Sequence, residues 1–285
     1  MSRITTQIVT GLVFLVFSIG FSSVASQYSN QAAILHLGTG ARAAGLGGAF
    51  LPLADDESAA FYNPAGLGWE KRISVSSYFS QAYGVLSYGT VGISLPYLGA
   101  ELMRLESGWI QTDSGGFSYV SQCGVASTGF AIGPVGFGIR VKLYQVESPY
   151  TAFGWAFDPA VLIATDNLRI GLMLENIVSQ AVEYSTGVSG EWIMGFDIGA
   201  ALRLHPSDEV EWTLSVVANG LFSPDLEFSA GIEGWVGRLG VRAGLNSSGP
   251  SMGLSVRFSA MRIDISYRES GELGGSYGAS VTYSF

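Results

Sequence analysis

The chain has 285 residues, a net charge of −9 and only 13% charged side chains, against 39 glycines. A soluble domain normally carries about a quarter charged residues, so something other than water is expected to face much of this surface. The only lysines, Lys71 and Lys142, make no basic patch for nucleic acid. The single cysteine, Cys123, excludes an internal disulfide and a cysteine-rich metal site.

Residues 1–26 carry one charge, Arg3, then an apolar run from Ile8 to Phe21 and the small residues Ser23-Val24-Ala25-Ser26. That order is expected of a secretory signal peptide cleaved after Ala25 or Ser26. The run is shorter than the ~18 apolar residues a membrane helix usually needs.

Residues 27–70 do not alternate and form a separate, glycine-rich segment. Asp55 is the expected N-cap of a short helix through Phe61, with Asp56 and Glu57 in its favourable first turn and Pro64 as its stop. Gly66 fits a helix end, and Asn63-Pro64 fits a turn. Arg42 is expected to pair with Asp55 or Asp56, or with Asp197 or Asp264 further along. Gly38, Gly40 and Gly45 have the wrong spacing for a dinucleotide loop, and no strand precedes them. No cofactor is expected.

Residues 71–285 carry the period of strands. The uncharged stretch from Ser114 to Ile139 holds Gly124, Gly129, Gly133, Pro134, Gly136 and Gly138, which a spanning helix would not tolerate. With helices excluded, a closed barrel is the remaining structure that satisfies a backbone in lipid. Val135, Phe137, Ile139, Val141 and Leu143 alternate with Gly136, Gly138, Arg140, Lys142 and Tyr144. Leu168, Ile170, Leu172 and Leu174 alternate with Arg169 and Glu175. Trp192, Met194, Phe196 and Ile198 alternate with Asp197, and Arg203 follows on the same parity. The same rule places Arg242, Arg257, Arg262, Asp264 and Arg268 on the polar face. An Arg or Lys on the lipid face near the midplane would cost ~2–4 kcal/mol, so these eleven charges are expected in a lumen.

Strands are expected near 71–80, 83–95, 100–110, 116–131, 134–147, 151–165, 167–178, 191–205, 208–219, 226–236, 237–246, 250–259, 260–269 and 276–285. Fourteen is an even number, as bacterial barrels require. Tight turns at Gly133-Pro134, Asp166-Asn167, Pro206-Ser207-Asp208 and Ser259-Ala260 alternate with longer connections. A barrel of this size has a lumen its own side chains cannot fill, so 27–70 is a natural plug. The last strand places Tyr277, Ala279, Val281, Tyr283 and Phe285 on one face. A terminal Phe with an aromatic two positions earlier resembles the C-terminal signal read by barrel-assembly machinery.

The run Gly40-Ala41-Arg42-Ala43, Gly45-Leu46-Gly47-Gly48-Ala49-Phe50, Ala54-Asp55-Asp56 and Tyr62-Asn63-Pro64-Ala65-Gly66-Leu67 resembles the N-terminal signature of FadL-like outer-membrane proteins. It is most similar to the branch named for PorV and PorQ. The resemblance implies a plugged fourteen-strand barrel in the bacterial outer membrane. It also implies passage of hydrophobic small molecules such as fatty acids or aromatics. Asn63, Pro64, Ala65 and Gly66, with Arg42, Asp55 and Asp56, would form the hatch. In some members ligand leaves sideways beside a kinked strand, and Pro159 is a candidate for that place, or else a loop-end proline. The alternative from the PorV resemblance is a non-transporting partner of a protein-secretion system. An enzyme is not expected: His36 and His205 lack convincing Ser or Asp partners.

Overall fold

The computed structural model describes residues 33–285 apart from 113–114, 149, 224–225 and 272–273. The expected signal peptide therefore lies outside the described residues. The first strands are β1 (Ser74–Ala82), β2 (Leu86–Leu95), β3 (Leu98–Ser107), β4 (Val120–Ile132), β5 (Val135–Ser148), β6 (Ala152–Ala164) and β7 (Leu168–Glu175). They are followed by β8 (Gly195–Ser207), β9 (Val210–Leu221), β10 (Glu227–Val236), β11 (Leu239–Asn246), β12 (Gly249–Arg257), β13 (Met261–Glu269) and β14 (Gly275–Ser284).

Each strand pairs antiparallel with the next, and β14 returns to β1, from Ser74 opposite Ser284 to Gln81 opposite Tyr277. The sheet is a closed fourteen-strand barrel, and closure satisfies the ladder groups that an edge would leave open. All fourteen expected strands are present, none with an end moved by more than four residues. No helix among the described residues is long and apolar enough to cross a membrane.

The two-residue period sorts the side chains. Val75, Phe79, Val91, Leu102, Ile139, Leu143, Leu254 and Val281 are exposed on the outside, whereas Arg140, Lys142, Asp158, Asp197, Glu233, Arg242 and Asp264 are buried within. Cys123 is a packed inward strand residue, 1% exposed. Among the described residues, outward charges that depart from the rule include Arg104, Glu106 and Glu147. They sit at the loop ends of β3 and β5, and Gln122 donates to Glu147 at 2.5 Å. The 14 residues of β5 against the 9 of β12 make that sector taller than the opposite wall.

One expectation fails locally. The alternation places Trp192 outward at the head of a strand, but β8 starts only at Gly195. Trp192 turns inward, 9% exposed, donates its indole N–H to the Gln180 carbonyl at 2.8 Å and meets Tyr144 edge-on. An indole N–H needs a partner once buried, and the carbonyl supplies it.

At one end of the barrel every connection has two or three residues, and the longest, 108–119 and 176–194, stand at the other. At the long end a small hairpin pairs Ile110–Thr112 with Gly115–Phe117. An extension of β7, Val178–Tyr184, pairs with the head of β6. The 3-10 turn Ala33–Leu37, helices α1 (Ala41–Gly45) and α2 (Ala59–Tyr62), and the 3-10 helix Pro64–Trp69 pack against inward-facing residues of the wall.

Candidate functional site

The N-terminal segment is seated on glycines of the wall. A Cβ at Gly129 or Gly138 would collide with the backbone of Pro64 and Ala65. A Cβ at Gly171 would lie 2.7 Å from the Leu51 carbonyl, and one at Gly231 would lie 2.7 Å from that of Leu46. Glycine in a strand interior commonly marks such a close backbone approach. Gly66 permits a close approach within the segment itself, to the Ala54 carbonyl.

Arg42 is the centre of a buried ion cluster that joins this segment to the wall. Its Nε and Nη2 donate to Glu233 at 2.9 and 2.7 Å, while Nη1 reaches Asp55 at 2.6 Å and Asp56 at 3.0 Å. Arg262 donates to Glu57 at 2.6 Å, to Asp56 at 3.1 Å and to Asp264 at 2.8 Å. Arg242 donates to Glu233 at 2.5 Å, and Arg203 pairs with Asp55. Arg169 holds the carbonyls of Pro52 and Leu53 at 2.9 and 2.7 Å. Opposite charges so arranged offset the desolvation that either would suffer alone.

Electrostatics of the segment follow from those contacts. Burial works against ionisation of Asp55, but Arg42, Arg203 and Arg169 outweigh it and hold the carboxyl well below its ordinary range. Burial pushes Glu57 up to about 7, with Asp56 adding to the rise and Arg262 opposing it.

The expected pairing of Arg42 with Asp55 and Asp56 is present. Its wall partner is Glu233, not Asp197 or Asp264. Asp55 is no N-cap: α2 begins at Ala59 with Ser58 at the cap position, and Asp56 accepts the Ser58 N–H and hydroxyl at 3.0 and 2.5 Å. The arginines take the Asp55 carboxylate instead. Asn63 is fully buried, accepts the Ala65 N–H at 3.1 Å and donates to Leu51 O and Val161 O at 3.2 and 3.3 Å. The helix ends at Tyr62, just ahead of Pro64 as expected, and Pro64 itself opens a 3-10 helix in which Gly66 lies.

A second cluster lies at the junction of β5, β6 and β7. Asp158 accepts from Arg140 Nε at 2.7 Å and pairs with Lys142 Nζ at 2.9 Å. Arg140 reaches Glu175 at 2.8 Å. Pro159 is within β6, opposite Ile139, so the loop-end reading is corrected. The other expected lumen residues are dispersed. Asp197 accepts the Gly220 N–H at 2.8 Å, Arg257 stands 3.3 Å from the centre of the Trp235 ring, and Arg268 lines the cavity below.

Above the segment, at the long-loop end, opens a vestibule. Leu35, Phe61 and Trp192 give it apolar walls, and Lys142, Glu175 and Asp197 give it charged ones. His36 also lines it, while His205 stands 3.5 Å from Glu211 at the far end. On the outside of the wall a separate apolar groove runs past Phe137, Pro159, Leu172 and Phe196. Met173 lines both spaces.

Four residues of these clusters escaped the sequence reading. Asp158 and Glu233 sit on the inward parity of strands that were expected, so the alternation already marked them. Glu101, bound by Thr39, is the same case on β3. Glu57 had been read only for its helix position.

No protein-family model matches the chain, and no curated protein sequence does. Solved structures do match. The CymD monoaromatic hydrocarbon channel superposes with a TM-score of 0.60 at 12% identity, covering 87% of this chain and 98% of CymD. The likeness is one of fold. The Pseudomonas putida toluene transporter TodX gives a TM-score of 0.57 at 14% identity, over 87% of this chain and 98% of its own. A FadL homologue of Pseudomonas aeruginosa gives 0.53 at 11% identity, over 86% and 98%.

Proposed function

We propose that this chain is an outer-membrane barrel that passes hydrophobic small molecules by passive transport, with 27–70 as its plug and 71–285 as its wall. The long-loop end faces outward, as longer loops do in such barrels. Ligand enters the vestibule, meets the plug, and leaves sideways through the wall near Pro159 into the lipid. The observation that carries this reading is Met173, a residue that lines both the lumen vestibule and the outer apolar groove. The ion cluster at Arg42 makes a straight path through the plug costly, because withdrawing the plug would take Arg42 from Glu233, and Asp56 and Glu57 from Arg262. Asn63, Pro64 and Ala65 form the hatch surface that bears on the same strands, β4 to β6.

The test is uptake of radiolabelled toluene and, separately, oleate by whole cells and by vesicles holding the pure protein. Val161→Cys with Leu172→Cys places cysteines at partnered positions of β6 and β7. Oxidation is expected to abolish uptake, and reduction to restore it. Uptake equal to that of empty cells for both probes rejects the transport reading, as does uptake indifferent to the cross-link. Asn63→Ala with Pro64→Ala is expected to change the rate by loosening the hatch.

A second reading, a partner of protein secretion, draws support from the outward polar sector at Arg104, Glu106, Gln122 and Glu147. Under it, reversing those charges would abolish display of a client protein and leave uptake of small molecules at the background level.

A further inference from the structure

The β6–β7 ladder breaks at Asp158 and Pro159, and side chains close it. From Ala160 to Ala164, β6 pairs with residues 173 to 169 of β7; from Phe157 back to Ala152 it pairs with the extension 178–184. Asp158 and Pro159 fall between the two registers. Ile177 N–H donates to the Phe157 carbonyl at 3.1 Å, so residue 157 points its backbone groups toward β7. Backbone groups alternate along a strand, so Pro159 turns the same way and has no N–H to offer.

Asp158 stands in for the missing bonds. One carboxylate oxygen accepts the Asn176 backbone N–H at 2.7 Å, and the other takes Arg140 Nε at 2.7 Å and Lys142 Nζ at 2.9 Å. Lys142 also donates to Asn176 Oδ1 at 2.8 Å, and Asn176 Nδ2 reaches the Ile193 carbonyl at 2.6 Å. Asn176 has a left-handed φ of 58°, a conformation a non-glycine residue holds only when its surroundings fix it. Asp158, Arg140 and Lys142 are all within 3% of full burial.

The same residues reach the N-terminal segment. Arg140 donates to the Phe61 carbonyl and lies 5.4 Å above the Phe61 ring. Asn63 donates to Val161, two residues from Pro159.

We propose that Asp158, Arg140 and Lys142 form a side-chain latch that holds the seam at Pro159 shut, and that Arg140 couples the latch to the segment around Phe61–Asn63. This rests on the lateral route proposed above for its use in transport, but the latch itself is a property of the apoprotein. Displacing Phe61 removes an acceptor from Arg140 and weakens its hold on Asp158 and Glu175. The seam then loosens where no backbone ladder backs it.

The test is hydrogen exchange of the full chain in lipid vesicles, read on the peptide spanning 172–178. Asp158→Asn and, separately, Lys142→Met should speed exchange of that peptide by at least ~10-fold, the equivalent of ~1.4 kcal/mol in local opening. Strands β11 to β13 should keep wild-type rates. Joining Phe157→Cys to Val178→Cys, partnered positions on the loop side of the break, should restore slow exchange in the Asp158→Asn protein. Asn63→Ala should raise exchange of the same peptide through Arg140, and unchanged exchange there overturns the coupling. Wild-type exchange at 172–178 in both latch variants, or a rise spread evenly over all strands, overturns the latch. Faster exchange confined to the seam with no change in toluene uptake upholds the latch and rejects the lateral route.

Discussion

The two ion clusters of this barrel use the same chemistry for opposite purposes. Around Arg42, carboxylates from the segment and from β10 and β13 are shared among arginines, and the wall behind them has unbroken ladders. Around Asp158, the charges bridge a place where the ladder is missing. In the first cluster the backbone and the ions agree, so the segment is fixed. In the second the ions act alone, so the wall is only as firm as its side chains. Burial is similar in both; what separates them is whether a sheet stands behind the salt bridges.

That contrast is broken most directly at Arg42. Arg42→Ala leaves Glu233 buried with one partner fewer, which should cost ~3–5 kcal/mol, read as earlier thermal unfolding in detergent and new protease cuts within 33–70. Next comes Gly138→Val, whose side chain would enter the backbone of Ala65. Overpacking of this kind costs ~1–3 kcal/mol, and the expected result is a protease-sensitive segment inside a barrel that still shows full strand content by circular dichroism. The same substitution at Gly124, whose Cβ would lie 3.6 Å from Leu102, should leave the segment protected.

Pro159→Ala sharpens the comparison from the other side. It returns a backbone donor to the seam and should tighten it by ~0.5–1.5 kcal/mol, seen as slower exchange at 172–178 and slower uptake. The smallest effect is one of slope. Glu57 in the folded chain is raised from its ordinary value of 4.5 to about 7. Its contribution is therefore complete below pH 4.5 and lost as pH rises through 7. Wild-type stability should decline over that window, and Glu57→Gln should flatten the decline; an unchanged slope would show that Glu57 is not the titrating group.

Most of the wall was legible because its signal is local. The alternation of Ile139 with Arg140, or of Ile263 with Asp264, states which face each residue takes without reference to any other strand. Trp192 escaped because alternation says nothing about where a strand starts, and the chain leaves the sheet before Gly195. Pro159 was noticed, yet whether it lay in a strand or a loop depended on the strand it faces. In the segment, Arg42 with Asp55 and Asp56 was within reach because they are near in sequence. Glu233, 191 residues away from Arg42, was not.

Composition and the two-residue period by themselves determined a closed all-β wall, its strand number and the inward placement of its charges, since each follows from side chains next to one another in the chain. Only the tertiary structure decided which arginine meets which carboxylate, where the glycine seats fall and where the wall is left without a ladder. Those depend on the register between strands and on the lie of the segment inside them. Register is set by the whole ring closing at once, β14 on β1, and no single stretch of sequence carries it.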